Sequence, residues 1–201
     1  VKPFCPLFNA CGGCNLQNVD YDYLIEQKQI ILKEFFSSKI LKDFDDIEFK
    51  PFIKSDVTKE YRCKVQNAIS ETKVSKRLLC GYYKENTHDV VNIKYCPIQP
   101  RIIEQIINYI RENWKLGGYI EKKDKGLLKH VIIRYSSTSK KIILTFVINK
   151  DLEWLNKVEN DIKSFSDEII KSFPDVSGVL VNFNPKKTNK ILGEKTELIA
   201  G

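Results

Sequence analysis

Methionine is missing from all 201 residues, the initiator position included, and no apolar run approaches the ~18 residues that a membrane span needs. A transmembrane helical protein is thereby excluded. Glycine is sparse, at nine residues, and none belongs to the glycine-rich strand-to-helix turn that cradles a nucleotide cofactor. Nothing that reads as a signal peptide precedes Cys5. Six cysteines scattered through a lysine-rich chain are then expected to be reduced, which disfavours disulfides and predicts a cytoplasmic protein. What the chain does have is 42% hydrophobic residues, enough for a sizeable core in one compact unit, and a formal charge of +7.

Half of the cysteines stand together. Cys5-Pro6-Leu7-Phe8-Asn9-Ala10-Cys11-Gly12-Gly13-Cys14 places three thiols within ten residues, with two glycines inside the last pair. Glycine can take positive φ and bring backbone N–H groups close to whatever the thiolates hold, which suits a bulky sulfide cluster. A fourth cysteine in a proline loop, Cys96-Pro97-Ile98-Gln99, completes the four thiolates that iron–sulfur cubanes commonly use. The expectation is a 4Fe-4S site on Cys5, Cys11, Cys14 and Cys96, and a fourth ligand argues against an open radical-generating iron. Zinc is the nearest rival, although zinc knuckles usually bring two CxxC-type pairs and this chain has one. Cys63 and Cys80 fall inside predicted strands and read as small buried side chains.

The positive charge is segregated. Residues 61–84 carry six Lys/Arg against one acid and residues 122–150 carry eight against one, whereas residues 20–60 hold ten acids against seven bases. Two segments are therefore selectively basic and offer phosphate neutralisation; a solvated lysine face is the plainer alternative.

Periodicity predicts an amphipathic helix over Asp20–Phe36, capped by Asp20 or Asp22, with an acidic connector from Ser37 to Asp46. Strands are expected near Glu48–Ile53, Arg62–Ile69, Leu78–Lys84 and Asp89–Lys94 as an antiparallel meander. An isoleucine-rich helix from Ile98 to Ile110 follows, ended before Gly117-Gly118. Strands near Leu128–Tyr135 and Lys141–Ile148, a helix through Leu155 to Ile169, a strand over Val176–Phe183 and a weaker one near Leu198 complete the order. The fold class is α+β: a mostly antiparallel β-sheet with flanking helices on one face and an N-terminal Cys-rich cluster loop. Residues 1–16 form that loop, 17–46 the helix and connector, and 47–201 a central domain containing the fourth cluster ligand. Alternation puts Arg62 with Lys64, and His130 with Arg134, on common strand faces.

The cassette, Leu16-Gln17, Tyr23 to Gln27, Tyr61-Arg62-Cys63-Lys64-Val65-Gln66, Gly81-Tyr82-Tyr83-Lys84, Cys96-Pro97-Ile98-Gln99, Gly126-Leu127-Leu128-Lys129-His130-Val131 and Asn182-Phe183-Asn184 resemble, in order, the bacterial 23S ribosomal RNA uracil-5 methyltransferases of the iron–sulfur type. Cys63 departs from the asparagine expected there. The resemblance implies three parts: a β-barrel RNA-binding domain, a cluster-bearing central region and an S-adenosylmethionine-binding methyltransferase domain. Only the central region is matched, and the family's catalytic cysteine and glutamate base cannot be located. Together with the missing initiator, this predicts a piece of a longer enzyme, with no catalytic residue and no S-adenosylmethionine site of its own.

In the intact enzyme, as the resemblance implies, a cysteine adds to carbon 6 of an unstacked uracil, carbon 5 takes the methyl group, and a base removes the proton. The partner is RNA, most readily ribosomal RNA, with contacts at Arg62, Lys64, Tyr82, Tyr83, Lys84, His130 and Arg134. The helix at 20–36 would pack on the methyltransferase domain, or else cover the local sheet; left uncovered, its stripe would favour self-association. An iron–sulfur electron-transfer module and a zinc-stabilised nucleic-acid-binding domain are the alternative readings.

Overall fold

The computed structural model describes residues 1–39, 48–153 and 158–201. Its centre is a seven-stranded sheet in the order β3-β2-β1-β4-β5-β6-β7. The strands are β1 (Lys64–Glu71), β2 (Leu78–Tyr83), β3 (Val90–Asn92), β4 (Leu128–Tyr135), β5 (Ile142–Ile148), β6 (Val176–Phe183) and β7 (Lys195–Ala200). All neighbours run antiparallel except β5 and β6, which are joined through a helix and therefore run parallel. The α+β class holds, with three α-helices among the described residues: α1 (Tyr21–Lys39), α2 (Arg101–Asn113) and α3 (Glu159–Ser172).

One sheet face supplies the core. Val65 and Ile69 of β1, Val131 and Ile133 of β4, Leu144 and Phe146 of β5, and Val179 and Val181 of β6 alternate inward and are buried against both α2 and α3. From α2 come Ile103, Ile106, Ile107 and Ile110; from α3 come Ile162, Phe165 and Ile169. Trp114 closes the end of α2, its ring centroid 5.0 Å from Phe146 and 5.4 Å from Phe165, while its indole N–H donates to the Gly117 carbonyl at 3.1 Å. Each buried isoleucine contributes roughly 1.5–3 kcal/mol of transfer free energy, so this layer dominates stability. With both helices on one side, the opposite sheet face is left open.

Two details fix the sheet. A Cβ on Gly81 would lie 2.0 Å from the Val91 carbonyl oxygen and 2.9 Å from Ile93, so only glycine lets β3 pair here. In β4 the register against β5 shifts between Leu128 and His130, which makes Lys129 the extra residue of a bulge. Its ammonium turns onto the carbonyls of Asn184 and Lys186 at 2.8 and 2.9 Å, and lies 4.8 Å from the Tyr119 ring centroid.

Several expectations are corrected. Glu48–Ile53 forms no strand: Pro51 has no N–H for a ladder, and Ile53 is 98% exposed. Cys63 sits one residue before β1 and is only half-buried, whereas Cys80 is buried as expected. Asp20 is the cap of α1, its Oδ1 accepting from the Asp22 and Tyr23 amides. No described residue of α1 is buried; Tyr23, Ile30, Ile31 and Phe35 lie about half exposed or more, so the helix does not cover the local sheet. The acidic connector falls mostly outside the described residues, as does Leu155. No described helix is long and apolar enough to cross a membrane.

Candidate functional site

The cysteine cassette folds as consecutive tight turns. The Phe8 amide donates to the Cys5 carbonyl at 3.2 Å, and the Ala10 and Cys11 amides donate to the Leu7 carbonyl at 3.0 and 2.8 Å. The next amide, Gly12, reaches the Tyr83 carbonyl at 2.9 Å and ties the loop to β2. A Cβ on Gly12 would stand 2.9 Å from that same oxygen. Opposite, the Cys96 amide donates to the Glu104 carboxylate at 2.7 Å, and the Gln99 amide closes a turn on the Cys96 carbonyl at 3.0 Å.

These two loops bring Cys5, Cys11, Cys14 and Cys96 to one pocket, with Arg62 and Tyr82 in its wall. Ile93, Cys96 and Ile98 form a small apolar core there, packed by Leu7, Cys11, Cys14 and Tyr82. All six thiols are free. Burial pushes the Cys96 thiol up to about 11 and raises Cys11 as well, so both are protonated until something cationic takes the thiolate. Among the described residues, no three His, Cys, Asp or Glu side chains gather as ligands of one metal ion. A single zinc at about 2.3 Å from each sulfur would hold tetrahedral thiolates roughly 4 Å apart; a cubane spreads them, because each thiolate binds a different iron.

The space left among the thiols is about 20 Å³, little more than one water, so a cluster is admitted only as the cysteines swing outward. In other respects the lining suits one. The Gly13 amide points at the Cys11 sulfur at 3.3 Å, and the Gln17 Nε2, in the same lining, is buried with no hydrogen-bond partner among the described residues. Such donors are what cluster sulfurs accept.

A second cavity, of about 410 Å³, opens beside the first on the helix-free sheet face. Lys64, Gln66 and Ala68 alternate along β1 and stand opposite Arg134, Ile132 and His130 of β4. The predicted pairs Arg62 with Lys64 and His130 with Arg134 therefore come together. Lys64 and Arg134 face each other across the ladder, and neither has an acidic partner among the described residues. Arg62 lines both cavities: its Nη2 donates to the Gly13 carbonyl at 2.9 Å, and its guanidinium lies 5.5 Å from the Tyr82 ring centroid.

Both tyrosines predicted as RNA contacts border the open cavity, and Tyr82 also lines the cysteine pocket, where its hydroxyl accepts from Gln99 Nε2 at 2.7 Å. Tyr83 faces the open side, stacked on His88 at 5.3 Å and edge-on to His130 at 6.3 Å. Lys84 is exposed just beyond β2, its amide closing the hairpin on the Asp89 carbonyl. Burial, and then the neighbouring Lys129, push the His130 imidazole down to about 4, and its Nδ1 is buried without a partner among the described residues.

The two basic segments also meet. Lys73 and Lys76 share a concavity of about 660 Å³ with Lys122, Lys123 and Lys187. Gln66, Gln17 and Lys129 are the site residues that charge and cysteine spacing did not single out. A polar residue at an otherwise strand-like position was the available signal for Gln66.

No family model matches the chain. It is 32% identical over 200 residues to an uncharacterized RNA methyltransferase of Bacillus cereus ATCC 10987, covering 98% of this chain and 41% of that protein. The curated relatives are RNA methyltransferases by name. A second, from Halalkalibacterium halodurans, is 30% identical over 204 residues, covering all of this chain and 42% of its own length. One from Synechocystis is 27% identical over 204 residues with the same coverage. The chain thus spans about two fifths of the length of the curated relatives it matches. Among solved structures, the Pyrococcus abyssi tRNA (uracil-54, C5)-methyltransferase in complex with S-adenosyl-L-homocysteine is similar in fold, with a TM-score of 0.64 at 22% identity, covering 96% of this chain and 42% of that one.

Proposed function

We propose that this chain is the RNA-recognition and 4Fe-4S-binding region of an S-adenosylmethionine-dependent RNA uracil-5 methyltransferase. The observation that carries the reading is the placement of four cysteines, from segments more than eighty residues apart, around one pocket whose Arg62 wall is shared with a cationic sheet face. The RNA methyltransferase names of the relatives, and the fold of the uracil-directed neighbour, support it. Cys5, Cys11, Cys14 and Cys96 would hold the cluster. When bound, it supplies a four-thiolate staple that fixes a loop with little core of its own.

The chain's own residues do the gripping. Lys64 and Arg134 offer phosphate neutralisation, Arg62 ties that face to the cysteine loop, and Tyr83 and His130 give ring surface against which a base can rest. Methyl transfer belongs to the longer protein, and ribosomal RNA in the cytoplasm is the substrate we expect. S-adenosylmethionine would bind the methyltransferase domain, onto which the exposed α1 would pack; by itself the chain would self-associate through that stripe. The test is anaerobic preparation of the chain, with iron and sulfide assays and titration of a folded ribosomal RNA fragment. About four irons and four sulfides per chain, with salt-sensitive RNA binding, are expected. Zinc in place of iron, or no RNA binding at low salt, would overturn the reading.

A further inference from the structure

The open-face cavity has features that phosphate binding alone does not require. Its volume of about 410 Å³ falls in the roughly 300–1,000 Å³ range of small-ligand pockets, far more than a phosphate oxygen needs. Its floor is Ala68, small and buried; its sides are the rings of Tyr83 and His130 and the Gln66 amide. Gln66 is half-buried and makes no side-chain hydrogen bond to any described residue, so an amide stands ready to meet a hydrogen-bonding edge between the Tyr83 and His130 rings.

Lys64 lines the cavity and stands directly opposite Arg134 on the neighbouring strand, an arrangement that is destabilising for like charges unless an anion lies between them. A flat group with a hydrogen-bonding edge, carrying a phosphate just outside, fits both halves of the description. We propose that this cavity receives one unstacked nucleobase of the RNA, with its flanking phosphate on Lys64 and Arg134.

The proposal rests on the RNA-binding reading and sharpens it, because a base can enter only from a single-stranded loop or bulge. A duplex can offer its phosphates to the lysines but not a base to the cavity.

The test uses the chain, anaerobically prepared, and two RNA probes: a ribosomal hairpin with an unpaired loop, and a fully paired duplex of equal length. Binding of each is measured by fluorescence anisotropy. The hairpin is expected to bind at least ~5-fold more tightly, the lower bound for one base stacked on an aromatic side chain. Gln66→Phe fills the cavity, and His130→Gln removes one of its rings; each should bring the hairpin-to-duplex ratio close to one. Lys163→Ala, on α3 away from this face, should leave the ratio as it was. Thermal melts confirm that each variant folds. Equal binding of both probes by the unmodified chain, or a ratio that survives both cavity substitutions, overturns the base pocket and leaves RNA binding standing. No binding of either probe removes the RNA reading and the pocket with it.

Discussion

His130 offers a sharp test of the open face, because its Nδ1 is buried without a partner among the described residues and the Lys129 charge is close by. Enclosure holds the folded-state value near 4, against about 6.5 in an unfolded chain. The unfolded state therefore takes up a proton first as pH falls. Stability is intact above about pH 6.5 and is lost as pH drops toward 4. At pH 5 the unfolded chain has gained most of a proton and the folded one almost none, which amounts to about 2 kcal/mol. Urea unfolding at pH 7.5 and pH 5 should show the unmodified chain losing about 2 kcal/mol more than His130→Gln across that interval. Carboxylates and the other histidine, His88, remain in both proteins and cancel. A difference below about 0.5 kcal/mol would show that burial does not keep the imidazole neutral at pH 5.

Replacing Cys96 with Ser should remove most of the iron and sulfide that the chain retains anaerobically, read by colorimetric assay; full loading would strike Cys96 from the ligand set. Lys64→Ala with Arg134→Ala should reduce the slope of log affinity against log salt by about two, while Lys163→Ala with Lys171→Ala should leave it unchanged. Equal effects from the two pairs would make the attraction diffuse. Gly81→Ala should cost on the order of 1–3 kcal/mol in urea melts, since the added carbon meets the Val91 carbonyl and must push β3 away; a neutral result would mean β3 is readily displaced from the sheet.

Much of this arrangement is legible before any coordinates, for reasons that can be located. The isoleucines of α2 repeat at helical spacing between Pro100 and Gly117, and the β4–β5 hairpin has a polar turn between two apolar runs, so local pattern and tertiary outcome agree. The four cysteines could be grouped because ligand spacing is a constraint on chemistry as well as on fold. What escaped depended on single residues or on pairing. Pro51 cancels a strand that the flanking Phe and Ile suggest. The parallel run of β6 follows from the α3 crossover and not from any residue in either strand. The bulge at Lys129, which directs that side chain to the Asn184 loop and leaves His130 on the open face, appears only when β4 is laid against β5. Adjacent strand residues point to opposite faces, and so Tyr82 reaches the cysteine pocket while Tyr83 packs on His88 and His130.

Tyr82 and Arg62, which line both cavities, join the proposed cluster loop to the proposed RNA face at one edge of the sheet. Gly12 donates to the carbonyl of Tyr83, so the cysteine loop is stitched to the strand whose ring borders the open cavity. Arg62 crosses between the two sides, bonded to Gly13 and lying over Tyr82, two residues before β1 carries Lys64 and Gln66. Whatever orders the cassette therefore also orders one wall of the cavity. If the four cysteines hold a cluster as proposed, their negative charge would fall beside the Arg62 guanidinium and strengthen the contact that holds the wall in place. The proposed cluster would then stiffen the loop that lines the open cavity.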